Sequence, residues 1–134
     1  MERQEILDRV TDVLVDALGV DEDEVIPEAT LIEKLGAESI DFLDIRFRLE
    51  KVFHIRIGEH ELFPSENLLE SSVDTKLEHE GIVTRSGIAK IRESMPHANV
   101  DKFAENPEIE NIQHMFTVQM LVNFVDNKLN PEST

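Results

Sequence analysis

The chain has 134 residues, enough for one domain with a modest core. Its 29 acidic and 13 basic residues give a formal net charge of −16, which excludes nucleic acid and anionic membranes, since both require clustered Lys and Arg. An apolar share of 40 % argues against intrinsic disorder, and the lack of cysteine removes disulfides, thiolate nucleophiles and Cys-based metal sites. The charged start Met1-Glu2-Arg3-Gln4-Glu5 leads into an amphipathic stretch and does not read as a signal peptide. Ile6, Val10, Val13, Leu14, Ala17 and Leu18 recur at helical spacing, predicting a first helix over roughly 2–18, with Gly19 as its stop. Residues 20–37 read as a long acidic connection, interrupted by Pro27 and anchored by Leu31, Ile32 and Leu35.

Ser39 is expected to cap a second helix running to about Phe53, and His54-Ile55-Arg56-Ile57 is too brief an alternation for a strand. Further on, Thr84 caps a helix with Ile88, Ile91 and Met95 on one face, stopped by Pro96. Asn99 caps a short turn holding Val100 and Phe103, and Asn106-Pro107 opens a segment with Ile109, Ile112 and Met115. Thr117 caps the last helix, whose apolar stripe is Val118, Leu121, Val122, Val125 and Leu129, and Asn130-Pro131 ends it. No apolar run reaches the ~18 residues of a membrane span, so the expectation is a soluble, cytoplasmic protein.

Side chains placed about 100° apart divide the second helix into two apolar stripes. Phe42, Ile45, Leu49, Val52 and Phe53 form the core face, while Ile40, Leu43 and Phe47 lie nearly opposite. Asp41, Asp44, Arg48 and Lys51 border the second stripe, with Arg46 and Glu50 on its other flank. A surface helix needs only one stripe, so the second must be covered by a partner, by another segment of the chain, or by nothing.

Serine before a helix is usually a cap and no more. Here it stands in Gly36-Ala37-Glu38-Ser39-Ile40-Asp41, followed by an amphipathic helix and preceded by a helix and connection of fitting lengths. The stretch Leu35–Asp44, continuing through Leu49–Ile57, resembles the attachment-site region of acyl carrier proteins, with Glu38 where that family's motif has Asp. The resemblance covers roughly 1–62 and 116–129 and implies an all-α, four-helix bundle. Short extra helices then fall in an insertion, 63–115, before the last helix, whose apolar faces pack on the bundle. It implies that Ser39 carries 4′-phosphopantetheine, added by a phosphopantetheinyl transferase that supplies the base and Mg²⁺. Acyl groups would ride as thioesters on the thiol of that arm, a sulfur the polypeptide itself lacks. It further implies that Glu38, Ile40, Asp41, Leu43, Asp44, Phe47 and Glu50 meet acyl-loading, acyl-transfer or synthase enzymes with basic docking patches. Arg46, Arg48 and Lys51 depart from the family's more acidic or apolar pattern and suggest dedicated partners. Gly36 would admit close approach by the transferase, and the helix N-terminus would favour the attached phosphate. Phe42, Ile45, Leu49 and Phe53, with Val118, Leu121 and Val122 opposite, are candidates for sheltering an acyl chain.

Asp21-Glu22-Asp23-Glu24 lacks the glycine and spaced glutamate of an EF-hand, though divalent cations could screen repulsion among Asp21, Glu22, Asp23, Asp41 and Asp44. His54, His60, His79, His97 and His114 show no metal-binding spacing and read as scattered surface residues. No catalytic motif is present, so an enzyme is not expected; the resemblance implies a monomeric carrier for a specialised lipid, fatty acid or polyketide pathway. The rivals are an aminoacyl or peptidyl carrier and a carrier-like regulatory subunit that is never modified.

Overall fold

The computed structural model describes residues 2–58, 61, 62, 83, 85–108 and 114–130, and for Ser39, Ser86 and Ser94 the backbone alone. The described residues form five α-helices and no strand: α1 (Arg3–Leu18), α2 (Ser39–Phe53), α3 (Arg85–Ser94), α4 (Val100–Ala104) and α5 (Val118–Leu129). The fold is all-α, as the sequence suggests, and α1 is the hub against which both α2 and α5 pack.

Burial follows the periodicity. Ile6, Val10, Val13 and Leu14 of α1 meet Ile45, Leu49 and Phe53 of α2 and Val118, Leu121, Val122 and Val125 of α5 in one core cluster. Each such side chain stabilises the fold by about 1.5–3 kcal/mol when fully buried. Arg3 Nη1 adds a tie from the start of α1 to Asp126 Oδ2 of α5 at 2.7 Å. Hydrogen bonds from Asn130 and Arg3 hold the Asp126 carboxyl below the usual carboxylate range.

The apolar surface of α5 extends beyond its expected stripe. Met120 and Phe124 are buried as well, because the chain around His97 covers the side of α5 away from α1. His97 meets the Phe124 ring edge-on at 5.1 Å, and its backbone oxygen accepts from Asn123 Nδ2 at 3.2 Å. Its Nε2–H donates to Leu62 O at 3.0 Å. His97 is therefore not the surface histidine expected from spacing; it is 5 % exposed, a neutral donor in a packed joint. Isolated histidines carry no periodic signal of burial, which is why the sequence did not disclose it.

The caps were mostly legible. Gly19 ends α1 with φ 69°, Asn99 Oδ1 accepts from Lys102 N–H at 3.2 Å, and Thr117 Oγ1 accepts from Met120 N–H at 3.2 Å. Thr84, Ile109 and Ile112 lie outside the described residues. Pro107 does not open a helix where it is seen: its carbonyl accepts from Val83 N–H at 2.7 Å, and Glu108 is not helical. At the end of α2, His54 takes the left-handed conformation (φ 54°), and Glu50 O accepts from both His54 and Ile55. Glycine adopts this conformation without the steric cost that Cβ imposes.

Two outcomes follow from these local geometries. His54→Gly should stabilise the protein by about 1 kcal/mol, read as a raised urea midpoint at unchanged slope. Burial pushes the His97 pKa below its ordinary 6.5, so the unfolded chain takes up a proton that the folded chain refuses. Stability from His97 is thus complete above pH 6.5 and declines as pH falls below it. The stability advantage of wild type over His97→Gln should shrink between neutral pH and pH 5.5 in denaturant titrations.

Candidate functional site

The site begins with how α5 starts. A helix leaves its first amide hydrogens without helical partners. In α5, Val118 N–H donates to Ala29 O at 3.0 Å, Gln119 N–H to Pro27 O at 2.9 Å, and Met120 N–H to the Thr117 cap. Leu31 N–H donates to Phe116 O at 2.7 Å beside an antiparallel bridge between Thr30 and Thr117. The acidic connection is thereby clamped across the start of α5, with Ala29, Leu31 and Leu35 buried beneath it.

From that clamp the chain turns directly into α2. Leu35, Gly36 and Ala37 N–H groups donate back to Thr30, Ile32 and Leu31 carbonyls at 2.8–3.1 Å, with Gly36 at φ 73°. A Cβ on Gly36 would meet nothing within 4 Å. The turn thus demands glycine for its dihedral angle, a requirement internal to the chain and separate from any approach by an enzyme. Ala37 is buried, and Glu38 begins the solvent-facing part.

Ser39 is not the cap that the sequence pattern suggests. Glu38 is the N-cap (φ −109°, ψ 169°), and Ser39 is the first helical residue. Asp41 Oδ2 accepts from Glu38 N–H at 2.8 Å, and Asp41 N–H donates to Glu38 O at 2.9 Å. Ser39 and Asp41 are both good start residues, and the frame slipped by one position because Asp41 closes the turn from N3. The neighbours of Ser39, Glu38 and Ile40, are exposed.

The two stripes of α2 also separate as expected. Ile45, Leu49 and Phe53 are buried, with Phe42 and Val52 packed against the core. Ile40, Leu43 and Phe47 are 75 %, 51 % and 53 % exposed, so among the described residues nothing covers the second stripe. Its acids are not all free. Asp44 Oδ2 pairs with Arg48 Nε at 3.0 Å, and Glu50 Oε1 lies 4.0 Å from Arg46 Nε. The Arg46 guanidinium sits 5.0 Å from the centre of the Phe47 ring.

Among known proteins, the family model described as a phosphopantetheine attachment site matches residues 8–70. An acyl carrier protein of Rubrobacter xylanophilus is 39 % identical over 80 residues, a span covering 60 % of this chain and 98 % of that relative. The chain belongs to the acyl carrier protein family. It is a carrier of the phosphopantetheine-dependent kind and not a catalyst.

An acyl carrier protein asks little of its own residues toward the prosthetic arm: a hydroxyl at a surface turn, bonded to phosphate. The start of α2 fits that demand, with the positive end of a helix beside exposed neighbours. Glu38 and Asp41 stand on either side of Ser39 in sequence and oppose an attached phosphate, although Asp41 is already engaged with the backbone.

The residues expected to shelter an acyl chain are close-packed. Ile45, Leu49, Val118 and Leu121 have no exposure, and Phe42 meets Phe116 edge-on at 5.9 Å. Two surface clefts lie elsewhere. One of about 670 Å³ runs between the connection, α4 and α5, past Glu33, His97, Phe103, Met120 and Asn123. The other, about 410 Å³, separates α1 from α2 beside Asp12, Asp16, Arg48 and Lys51. His114, expected to be a scattered surface residue, pairs with Glu33 at the larger cleft. Among the described residues no acidic or histidine cluster is arranged to hold a metal ion, and no helix is long and apolar enough to cross a membrane.

The cap assignment has a direct consequence. Asp41→Ala should cost about 1 kcal/mol of stability, whereas Ser39→Ala should cost clearly less. Urea denaturation of the two variants distinguishes a serine that holds the helix start from one that does not.

Proposed function

We propose that Ser39 bears the 4′-phosphopantetheine arm and that this protein carries acyl groups as thioesters on the terminal thiol. The observation that carries the reading is the location of Ser39 within the matched family region, at the first turn of α2 but outside the cap that holds that turn. In loading, the serine oxygen forms a bond to the phosphorus adjoining the pantetheine of coenzyme A. The pyrophosphate bond breaks and adenosine 3′,5′-bisphosphate leaves. The transferase accepts the serine proton and supplies Mg²⁺, so no base is required from this chain.

Glu38, Ile40, Asp41, Leu43, Asp44, Phe47 and Glu50 form the face that meets the transferase and the acyl-handling enzymes in this reading. The exposed apolar trio supports it, since such residues on a surface helix serve no purpose in the core. We assign residues 1–62 and 116–129 to the carrier core and 63–115 to an insertion within a single domain. We place the protein in the cytoplasm as a monomer, serving a specialised lipid, fatty acid or polyketide pathway. The packing of His97 on Phe124 supports an insertion docked on the bundle.

The test is incubation with a broad-specificity phosphopantetheinyl transferase, Mg²⁺ and coenzyme A, followed by intact mass measurement. One phosphopantetheine increment on the wild type and none on Ser39→Ala is the expected result. No increment on the wild type would favour an unmodified binding or regulatory subunit. An aminoacyl or peptidyl carrier would show the increment but accept amino acids in place of acyl chains at the thiol.

A further inference from the structure

The charge along α2 is ordered. From Gly36 to Ile45 the only charged residues are Glu38, Asp41 and Asp44, all acidic. From Arg46 to Arg56 stand Arg46, Arg48, Lys51 and Arg56 against Glu50 alone. This segment carries four acids and four bases, so the net charge of −16 resides in the rest of the chain. The helix macrodipole favours acids in the first turn and bases in the last. It fades within a turn and so accounts for neither Arg46 nor Arg48 in the middle.

The basic half adjoins the exposed apolar stripe. Lys51 lies one turn after Phe47, is exposed, and has no ion pair among the described residues. Arg46 lies along the Phe47 ring on the other flank, its Nε out of contact with solvent, paired with Glu50 only at 4.0 Å and without a hydrogen bond among the described residues. Arg48 is tied to Asp44, which spends one of the anionic half's charges within the helix itself. A patch of uniformly positive charge would therefore be attracted at one end of this face and repelled at the other.

We infer that α2 docks a protein partner with a bipolar patch: an apolar centre for Ile40, Leu43 and Phe47, basic groups opposite Glu38 and Asp41, and a carboxylate opposite Lys51. Asp41 and Lys51 are ten positions apart, so the two charged ends of that patch are separated by about 15 Å. Lys51 and its neighbouring arginines act as selectivity residues, turning away uniformly basic partners by repulsion as much as they attract the right one. This specifies the partner of the α2 face and rests on the reading of α2 as that face.

Two synthetic amphipathic helical peptides with one shared apolar stripe serve as probes. One carries lysine along its whole polar flank, the other lysine on one half and glutamate on the other. Each is titrated into ¹⁵N-labelled, full-length Ser39→Ala protein at fixed salt, following the amides of Ile40, Leu43 and Phe47. The bipolar peptide should bind α2 about fivefold more tightly, and Lys51→Glu should reverse that ranking. Lys51 is exposed, so the reversal leaves the core intact, as far-UV circular dichroism will verify. Equal or tighter binding of the all-lysine peptide to the Ser39→Ala chain overturns the inference. So does an unchanged ranking in Lys51→Glu, or the absence of shifts at α2 with both peptides. Because Ser39→Ala cannot be loaded, this outcome is independent of the attachment chemistry. Failure of loading with peptide preference intact would count against the carrier reading alone.

Discussion

The clamp between the acidic connection and the start of α5 is the constraint on which the rest of this structure depends. Pro27 and Ala29 carbonyls satisfy the first amide hydrogens of α5, and Phe116 O accepts from Leu31 in return. The connection holds Asp21, Glu22, Asp23, Glu24 and Glu28, whose mutual repulsion opposes any compact course. Backbone hydrogen bonds and the burial of Ala29, Leu31 and Leu35 give it one nonetheless. That course fixes where Gly36 turns, and so where α2 begins. The position of Ser39 is thus determined by contacts with residues some eighty positions away.

The two faces of α2 share one helix with opposite demands. The core face is closed by α1 and the bundle, with Ile45 and Leu49 fully removed from water. The outer face leaves three large apolar side chains in solvent, which a stability argument alone would disfavour. The ion pairs of Arg46 and Arg48 with residues four positions away keep the charged flanks in place around it. The more exposed of the two, Arg48 with Asp44, stabilises the helix little.

Around α5 the bundle departs from a simple three-sided packing. Val118, Leu121, Val122 and Val125 serve the core, while Met120 and Phe124 are buried on a second front facing His97. Burying a histidine there is tolerable because its Nε2–H reaches Leu62 O. Lys128 and Glu61 add an ion pair beside the same joint. Glu61 and His97 are consequently bound to the last helix by charge, packing and a hydrogen bond.

The amino-acid order by itself determined the helical class, the approximate spans of α1, α2 and α5, and the two stripes of α2, because each rests on local periodicity and local caps. The Gly36–Asp41 motif made the family legible for the same reason. Which of Glu38, Ser39 and Asp41 holds the helix start was left to the folded turn, since all three can accept an amide hydrogen and only the backbone path selects among them. The burial of His97, the second apolar front of α5 and the clamp on the connection come from residues far apart in the chain. Such contacts leave no periodic trace along the sequence, so only the tertiary structure decided them.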